Sequence, residues 1–298
     1  QEQQLVIVRD RMGVKPLVYA ETANGVVFAS EIGSLFELAP DLSRQADYTA
    51  IDQYLTYQYV PSPRTGFASI RKLPPAHAMV IRHGRVEKIF RYWDIDPTQR
   101  CALSFSDAAE RLRELVLEAT RIRLVSDVPL GAFLSGGVDS SITVAAMARL
   151  SSRPVKTYAI GFDDERLNEL PYARQVAEHL GTEHHEEVCR PDAVDLLPKL
   201  IGHLGEPFAD NSILPSYYVA RFARQGVSVA LTGDGGDEAF GGYRRRSARF
   251  TLARHPAARG VAHAGLRRIC PPAQRPGPQR SGQGLRRCAG LVAGPARR

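Results

Sequence analysis

Short alternations of apolar and polar positions fill residues 1–94. Residues 5–9, 17–21 and 26–29 carry apolar side chains at the spacing of strands. Asn24-Gly25 between the last two is a hairpin signal. Residues 31–38 and 48–59 read as short helices. Residues 78–82 and 86–92 read as two further strands around His83-Gly84-Arg85. From Ser106 the period lengthens toward 3.6, and Ser106 is expected to cap a helix that runs to about Val125. Strands are then expected at 128–134, 155–161, 184–188 and 227–231. Helices are expected at 138–150, 170–180, 193–203 and 213–225. Strands alternating with helices predict an α/β fold with a doubly wound parallel sheet, whose ligands bind at the carboxyl ends of the strands. The expected organisation is a β-rich part at 1–94, a polar linker at 95–105, an α/β domain at 106–262 and a tail at 263–298.

Composition sharpens this picture at the tail. The 298 residues carry a net charge of +7, which by itself would suggest a nucleic-acid partner. Residues 266–298, however, hold eight Arg and no acid, which leaves −1 for the other 265 residues. Arg, Pro, Gly and Ala make up 22 of those 33 positions, with no aromatic residue and no helical period. Five Lys against 34 Arg in the whole chain suggest a GC-rich gene, which read out of frame yields such a composition. An out-of-frame end is the first reading of the tail, a natural disordered tail the second, and a nucleic-acid arm the third. The chain opens at Gln1 directly into a strand and is expected to be cut at both ends. No apolar run has the length of a membrane span. Cys101, Cys189, Cys270 and Cys288 are scattered without C-x-x-C spacing, which fits a reducing, cytoplasmic setting. No nucleic acid and no membrane are therefore expected among the partners.

The most specific chemistry lies at residues 134–141, Leu134-Ser135-Gly136-Gly137-Val138-Asp139-Ser140-Ser141. A strand feeding a Ser/Gly loop and then a helix start gathers free backbone N–H groups and the positive end of the helix dipole at one point, an anion site. The glycines allow close backbone approach. The hydroxyls add hydrogen bonds, and Asp139 can hold a cation. The Lys of a P-loop and the G-x-G-x-x-G of a dinucleotide fold are both absent. The Ser135–Ser141 stretch resembles the pyrophosphate loop of N-type ATP pyrophosphatases, enzymes that split ATP between the α and β phosphates. A second loop follows the last expected strand: Thr232-Gly233-Asp234-Gly235-Gly236-Asp237-Glu238, then Ala239-Phe240-Gly241-Gly242-Tyr243. Its carboxylates are hard oxygen ligands suited to Mg2+.

Together the two loops resemble the synthetase domain of glutamine-dependent asparagine synthetases. Arg9-Asp10-Arg11-Met12-Gly13-Val14-Lys15-Pro16-Leu17 and Phe28-Ala29-Ser30-Glu31 resemble the end of that family's N-terminal-nucleophile glutaminase domain. Leu73-Pro74-Pro75-Ala76-His77, Tyr92-Trp93 and Glu206-Pro207-Phe208-Ala209-Asp210 match as well. The resemblance implies ATP and Mg2+ as cofactors. It implies ATP, aspartate and glutamine or ammonia as small-molecule substrates, and a β-aspartyl-AMP intermediate on the way to asparagine. It assigns Ser135, Gly136, Gly137, Ser140 and Ser141 to the leaving pyrophosphate, and Asp139 and Asp237 to Mg2+. Leu134 and Ile160 would border adenosine, and the Thr232-Gly233 backbone would touch the nucleotide. Asp234 stands where the family commonly carries Glu, and it would orient or deprotonate the amine. Asp234 and Asp237 are thus the candidate catalytic pair. A second copy, in a homodimer, is the candidate protein partner.

The match also has gaps. Gln1 cannot replace the family's N-terminal Cys nucleophile, so no glutaminase residue is carried over and the chain is expected to be inactive with glutamine. The family's later helices would follow about residue 260. Asn211-Ser212-Ile213-Leu214-Pro215 replaces the usual aspartate contacts, which leaves another carboxylate, or lactam formation, open as the reaction. A non-catalytic remnant that binds nucleotide is the other alternative. His184 and His185 are adjacent on an expected strand and so face opposite ways. Tyr54, Tyr57 and Tyr59 are expected to pack from a short helix against the neighbouring sheet.

Overall fold

The computed structural model describes residues 4–96, 98–99, 101–164, 168–190 and 193–243. The tail at 263–298, with Cys270 and Cys288, lies outside the described residues, as does the expected boundary at 262. Contacts divide the chain into a unit of residues 1–234 and one of residues 235–298.

The first unit begins with two antiparallel sheets. One has the order β1-β5-β6, formed by Gln4–Val8, His77–Arg82 and Arg85–Arg91. The other has the order β3-β2-β4, formed by Gly25–Ala29, Val18–Thr22 and Arg71–Lys72. The period of two puts Leu17 and Tyr19 against Ile7, Met79 and Ile81 of the first sheet. Val18 and Ala20 point the other way, onto Ile32, Leu35 and Phe36 of helix α1 (Ile32–Leu38). The Asn24-Gly25 signal does mark a hairpin, but the register pairs Thr22 with Gly25, so Ala23-Asn24 form its tip. Strand β4 was not expected. Two residues are too few to show a period.

Helix α2 (Tyr48–Tyr57) starts at Asp47, whose carboxylate accepts from the N–H groups of Thr49 and Ala50. It ends two residues sooner than expected, because Gln58 turns left-handed at φ 69°. The break takes Tyr59 off the helix. Tyr57 and Tyr59 are more than half exposed, with ring centroids 6.4 Å apart, so the expected packing of this pair against a sheet is incorrect. Tyr54 is half-buried.

Beyond the linker, helix α3 (Phe105–Arg123) is capped by Ser104, which accepts from the Asp107 N–H, and not by Ser106. Ser104 and Asp107 have the i, i+3 spacing of a reciprocal cap, and Ser106 has Ala109 at that place. Four parallel strands follow: β7 (Leu130–Phe133), β8 (Lys156–Phe162), β9 (Glu183–Cys189) and β10 (Val229–Leu231). Their order is β10-β7-β8-β9. Helices α4 (Val138–Leu150) and α5 (Leu170–Leu180) cover one face, where Val144, Met147, Ala173 and Ala177 meet Ala132, Leu134 and Ala159. Helix α7 (Ile213–Ala223), reached through α6 (Ala193–Leu204), covers the other, where Ala223 and Phe222 meet Phe133 and Tyr158. The parallel α/β sheet is therefore wound with helices on both faces. Strands β7 and β10 are shorter at their starts than expected. Pro129 has no N–H to give the ladder, and its carbonyl takes the Ser228 N–H at 2.9 Å. His184 faces Thr157 at 2.8 Å, whereas His185 stacks on Tyr158 at 5.0 Å, so the two rings do lie on opposite faces. Among the described residues no helix is long and apolar enough to cross a membrane.

In the second unit, residues 236–240 of the second Gly/Asp motif form a short helix α8 (Gly236–Phe240), entered through Gly235 at φ 95°. A run read as a loop thus contains one helical turn.

Asp47, at the start of α2, is buried and engaged on both carboxylate oxygens. Burial works against its charged form, but Arg64 at 2.6 Å and the Ala50 and Thr49 amides outweigh that cost and hold its carboxyl below the ordinary value. Asp47→Ala removes both the cap and the ion-pair partner, and should cost about 1–3 kcal/mol in urea unfolding. Because the folded value is depressed, this stabilisation is present above about pH 4 and is lost as the pH falls through the folded value. The gap between wild type and Asp47→Ala should therefore close on acidification. A gap that does not depend on pH would contradict the ion-pair account.

Candidate nucleotide site at the carboxyl end of the parallel sheet

The strand order sets β7 and β10 side by side, so that the loops leaving their carboxyl ends emerge together. The chain leaves β7 toward α4 on one face. It returns through α7 on the other and enters β10 beside β7, which is the crevice where such sheets bind ligands.

The loop after β7 is braced by its own hydroxyls. Ser135 Oγ accepts from the Gly137 N–H at 3.2 Å and lies 3.0 Å from Ser140 Oγ. The Ser135 N–H donates to Ser140 Oγ at 3.3 Å, and Ser140 Oγ donates to the Gly137 carbonyl at 3.2 Å. Ser140 is buried by these contacts. Gly137 is the N-cap of α4, so the first-turn N–H groups of Val138, Asp139 and Ser140 have no helical acceptor. Ser141 Oγ is buried and has no hydrogen-bond partner among the described residues. A buried unpartnered hydroxyl is costly, and an anion seated on the helix start would relieve it. The Asp139 carboxylate, half-buried at the same helix start, makes no hydrogen bond or ion pair among the described residues. A free carboxylate beside an anion cradle suits a divalent cation that also binds phosphate oxygens.

Two glycines are held by close approach. Gly136 has φ 80°, and a Cβ there would lie 2.5 Å from the Tyr172 carbonyl carbon and 2.6 Å from Ala173 N. The loop is thus pressed against the start of α5. A Cβ on Gly233 would lie 2.6 Å from Ser140 N and 2.8 Å from the Asp139 carbonyl carbon. The second loop therefore touches the helix start created by the first. Thr232 holds Asp234, donating from Oγ1 to Oδ2 at 2.9 Å, and leaves its carboxylate at the surface.

Leu134, Ser135 and Ile160 line one open cleft of about 180 Å3, smaller than the usual small-molecule site. The expected residues thus fall into two groups. Leu134, Ser135, Gly136, Gly137, Asp139, Ser140, Ser141, Ile160, Thr232, Gly233 and Asp234 belong to the first unit, at the ends of β7, β8 and β10. Asp237 belongs to the second unit, on α8. Sequence reasoning missed the other walls of the cleft. Tyr158, which sits two positions before Ile160 on β8, was open to a period-two argument. Glu169, Pro215, Ser216 and Val219 were not, because nothing local says which face of the sheet α7 covers.

The residues 111–286 match the family model described as asparagine synthase, and residues 1–93 match that of a glutamine amidotransferase domain. The chain is 36% identical over 238 residues to asparagine synthetase [glutamine-hydrolyzing] 1 of Bacillus subtilis, covering 79% of this chain and 37% of that protein. It is 32% identical over 258 residues to asparagine synthetase [glutamine-hydrolyzing] 3 of the same organism, covering 80% and 41%. It is 30% identical over 262 residues to amidase chry2 of Gibberella zeae, covering 81% and 38%. The chain thus spans about two fifths of the length of these relatives. Among solved structures, the glutamine-dependent NAD+ synthetase of Acinetobacter baumannii is 14% identical, with 82% of this chain and 52% of that one covered and a TM-score of 0.35. The NMN synthetase of Francisella tularensis is 18% identical, with 47% and 59% covered and a TM-score of 0.32.

The glycine geometry makes a direct prediction. Gly136→Ala combines a left-handed backbone with contact against main-chain atoms, and should cost about 2–4 kcal/mol in urea unfolding. A Cβ on Gly137 would meet only the Ser135 hydroxyl, at 3.2 Å, and Gly137→Ala should stay within about 1 kcal/mol. Equal losses for the two variants would contradict the packing of this loop on α5.

Proposed function

The chain belongs to the asparagine synthase family, and from that premise we propose that the carboxyl end of its parallel sheet binds ATP for amide formation on a carboxylate, aspartate first among the candidates. The observation that carries this reading is the contact of Gly233 with the Asp139-Ser140 backbone, which joins the hydroxyl-lined anion cradle to the loop bearing Asp234.

In this reading Leu134 and Ile160 border the adenosine, and the Thr232-Gly233 backbone runs along the nucleotide. A carboxylate oxygen of aspartate attacks the α-phosphorus, and the bond from that phosphorus to the bridging oxygen breaks. Pyrophosphate leaves with the electron pair, and β-aspartyl-AMP remains. The α4 amides and the hydroxyls of Ser135, Ser140 and Ser141 take up the charge that grows on the leaving pyrophosphate. Ammonia, derived from glutamine in the intact protein, then attacks the acyl carbon. The bond between that carbon and the AMP oxygen breaks, and the nitrogen gives up a proton. Asp234, steadied by Thr232, is placed to orient the amine or accept that proton. Asp139 would hold Mg2+ at the start of α4, where the ion would neutralise phosphate charge, and Asp237 of the second unit is the other candidate ligand. A glutamine amidotransferase segment at 1–94 and an ATP pyrophosphatase-type domain at 106–262 are the corresponding parts of the chain.

Release of pyrophosphate from ATP, Mg2+, aspartate and ammonium tests this reading, and release is expected to depend on aspartate. ATP binding with no release at any ammonium level would instead mark a nucleotide-binding remnant, and release with a different carboxylate in place of aspartate would redefine the acceptor. Asp139→Asn should weaken Mg2+-dependent ATP binding by at least about tenfold, the worth of one charge-assisted contact. Unchanged binding would remove Asp139 from the cation site.

A further inference from the structure

The cleft beside the cradle is walled by α7, through Pro215, Ser216 and Val219, and the position of α7 is set from an unexpected direction. The loop that leads into it is fastened to the N-terminal sheets. Glu206 pairs with Lys72 at 2.5 Å, and its other oxygen accepts from the Gly66 N–H at 3.3 Å. Lys72 also donates to the Val60 carbonyl at 2.7 Å. Both charged side chains are more than four-fifths buried. Pro207 lies so close to Gly66 that a Cβ there would be 3.1 Å from Pro207 Cδ. The Ala209 N–H donates to the Gln58 carbonyl at 3.0 Å. Asp210 then closes a short turn, accepting from the Ser212 N–H at 2.8 Å, and α7 begins at Ile213. Three of the five residues from 205 to 209 are thus tied to residues 58–72, and only a three-residue turn separates that clasp from the cleft wall.

We propose that the Lys72–Glu206 clasp is a positioning device for the nucleotide site, through which the N-terminal sheets set the distance of the α7 wall from Leu134 and Ile160 and so tune ATP affinity. The physical basis is the desolvated pair itself. A buried ion pair fixes geometry because removing either partner leaves the other charge without compensation, and the loop must then shift to bring it to water. That shift passes along a turn too short to absorb it and moves Pro215 and Ser216. Neither Lys72 nor Glu206 lines the cleft, so any effect on affinity acts through α7.

The proposal rests on the ATP-site reading, and the test separates the two. ATP affinity of the chain is measured by calorimetry for wild type, Glu206→Ala, Lys72→Met, Lys72→Arg and Ile81→Ala. Glu206→Ala and Lys72→Met should each weaken ATP by about tenfold, equivalent to 1.4 kcal/mol. Lys72→Arg keeps the charge and should recover most of the loss. Ile81→Ala opens a cavity under the β1-β5-β6 sheet, outside residues 58–72 and 205–209. It should lower the melting temperature comparably and leave ATP affinity unchanged. Affinity that falls in step with stability in all variants, or that is unaltered in Glu206→Ala, overturns the proposal. If the wild-type chain binds no ATP, the nucleotide reading fails. The clasp is then judged by amide hydrogen exchange, where Glu206→Ala should speed exchange at residues 213–219 more than at residues 18–29, and a uniform or absent change rejects it.

Discussion

The site depends on one constraint, the placement of β10 beside β7. Had the fourth strand been added beyond β9, the loop carrying Thr232, Gly233 and Asp234 would have emerged three strands away from the Ser135 loop. The chain instead crosses the sheet through α6 and α7 and pairs β10 with β7 over residues 229–231. Right-handed crossovers keep α4 and α5 together on one face and force the later helices onto the other. The crevice is a consequence of that change of side. Apolar burial stabilises the arrangement, with Leu134 and Val144 on the α4 face and Tyr158 and Val227 on the α7 face.

Two kinds of polar engagement serve this scaffold, and they behave differently. Within the Ser135–Ser140 loop the hydroxyls are spent on one another, so the loop holds its shape before any ligand arrives. Ser141 Oγ and the Asp139 carboxylate are left unspent. A preorganised anion site is served by both, since hydroxyls already held in place meet the ligand without first being ordered. The Lys72–Glu206 pair belongs to the first kind. It shapes without touching, and it extends the preorganised region from the parallel sheet into the antiparallel ones.

Local signals made most of the fold legible. The helices at 138–150 and 170–180 have the observed bounds, because a glycine loop precedes the first, Pro171 opens the second and Gly181 closes it at φ 64°. The cap at Ser104 was also written in the sequence, as a Ser with Asp107 three places on. Ser106 drew attention only because the change of period is clearer there. Tyr59 illustrates a different difficulty. Its exposure follows from a left-handed Gln58, and glutamine gives no warning of that conformation. The anion loop was legible because its chemistry is contiguous. The α7 wall was not, because Pro215, Ser216 and Val219 acquire their meaning only once the crossover is known. The clasp was hidden for the same reason, since 134 positions separate Lys72 from Glu206.

The order Ser-Gly-Gly-Val-Asp-Ser-Ser can be understood position by position from these contacts. Only the first glycine is demanded by both its φ and the main chain of α5. The second is an N-cap without side-chain capping, and a larger cap residue there would put atoms in the mouth of the cradle. The Val138 side chain faces water on the first helical turn, with the residue 74% exposed, and only its N–H belongs to the cradle. Asp139 complements the helix dipole without closing on a partner among the described residues, so its charge remains available at the point where phosphate would arrive. Ser140 turns inward to brace the loop, and Ser141 sits one position further around the helix with its hydroxyl unsatisfied. Two serines side by side thus do different work because 100° of helical rotation separates them. This is why a hydroxyl pair, and not one serine, is found at the start of α4.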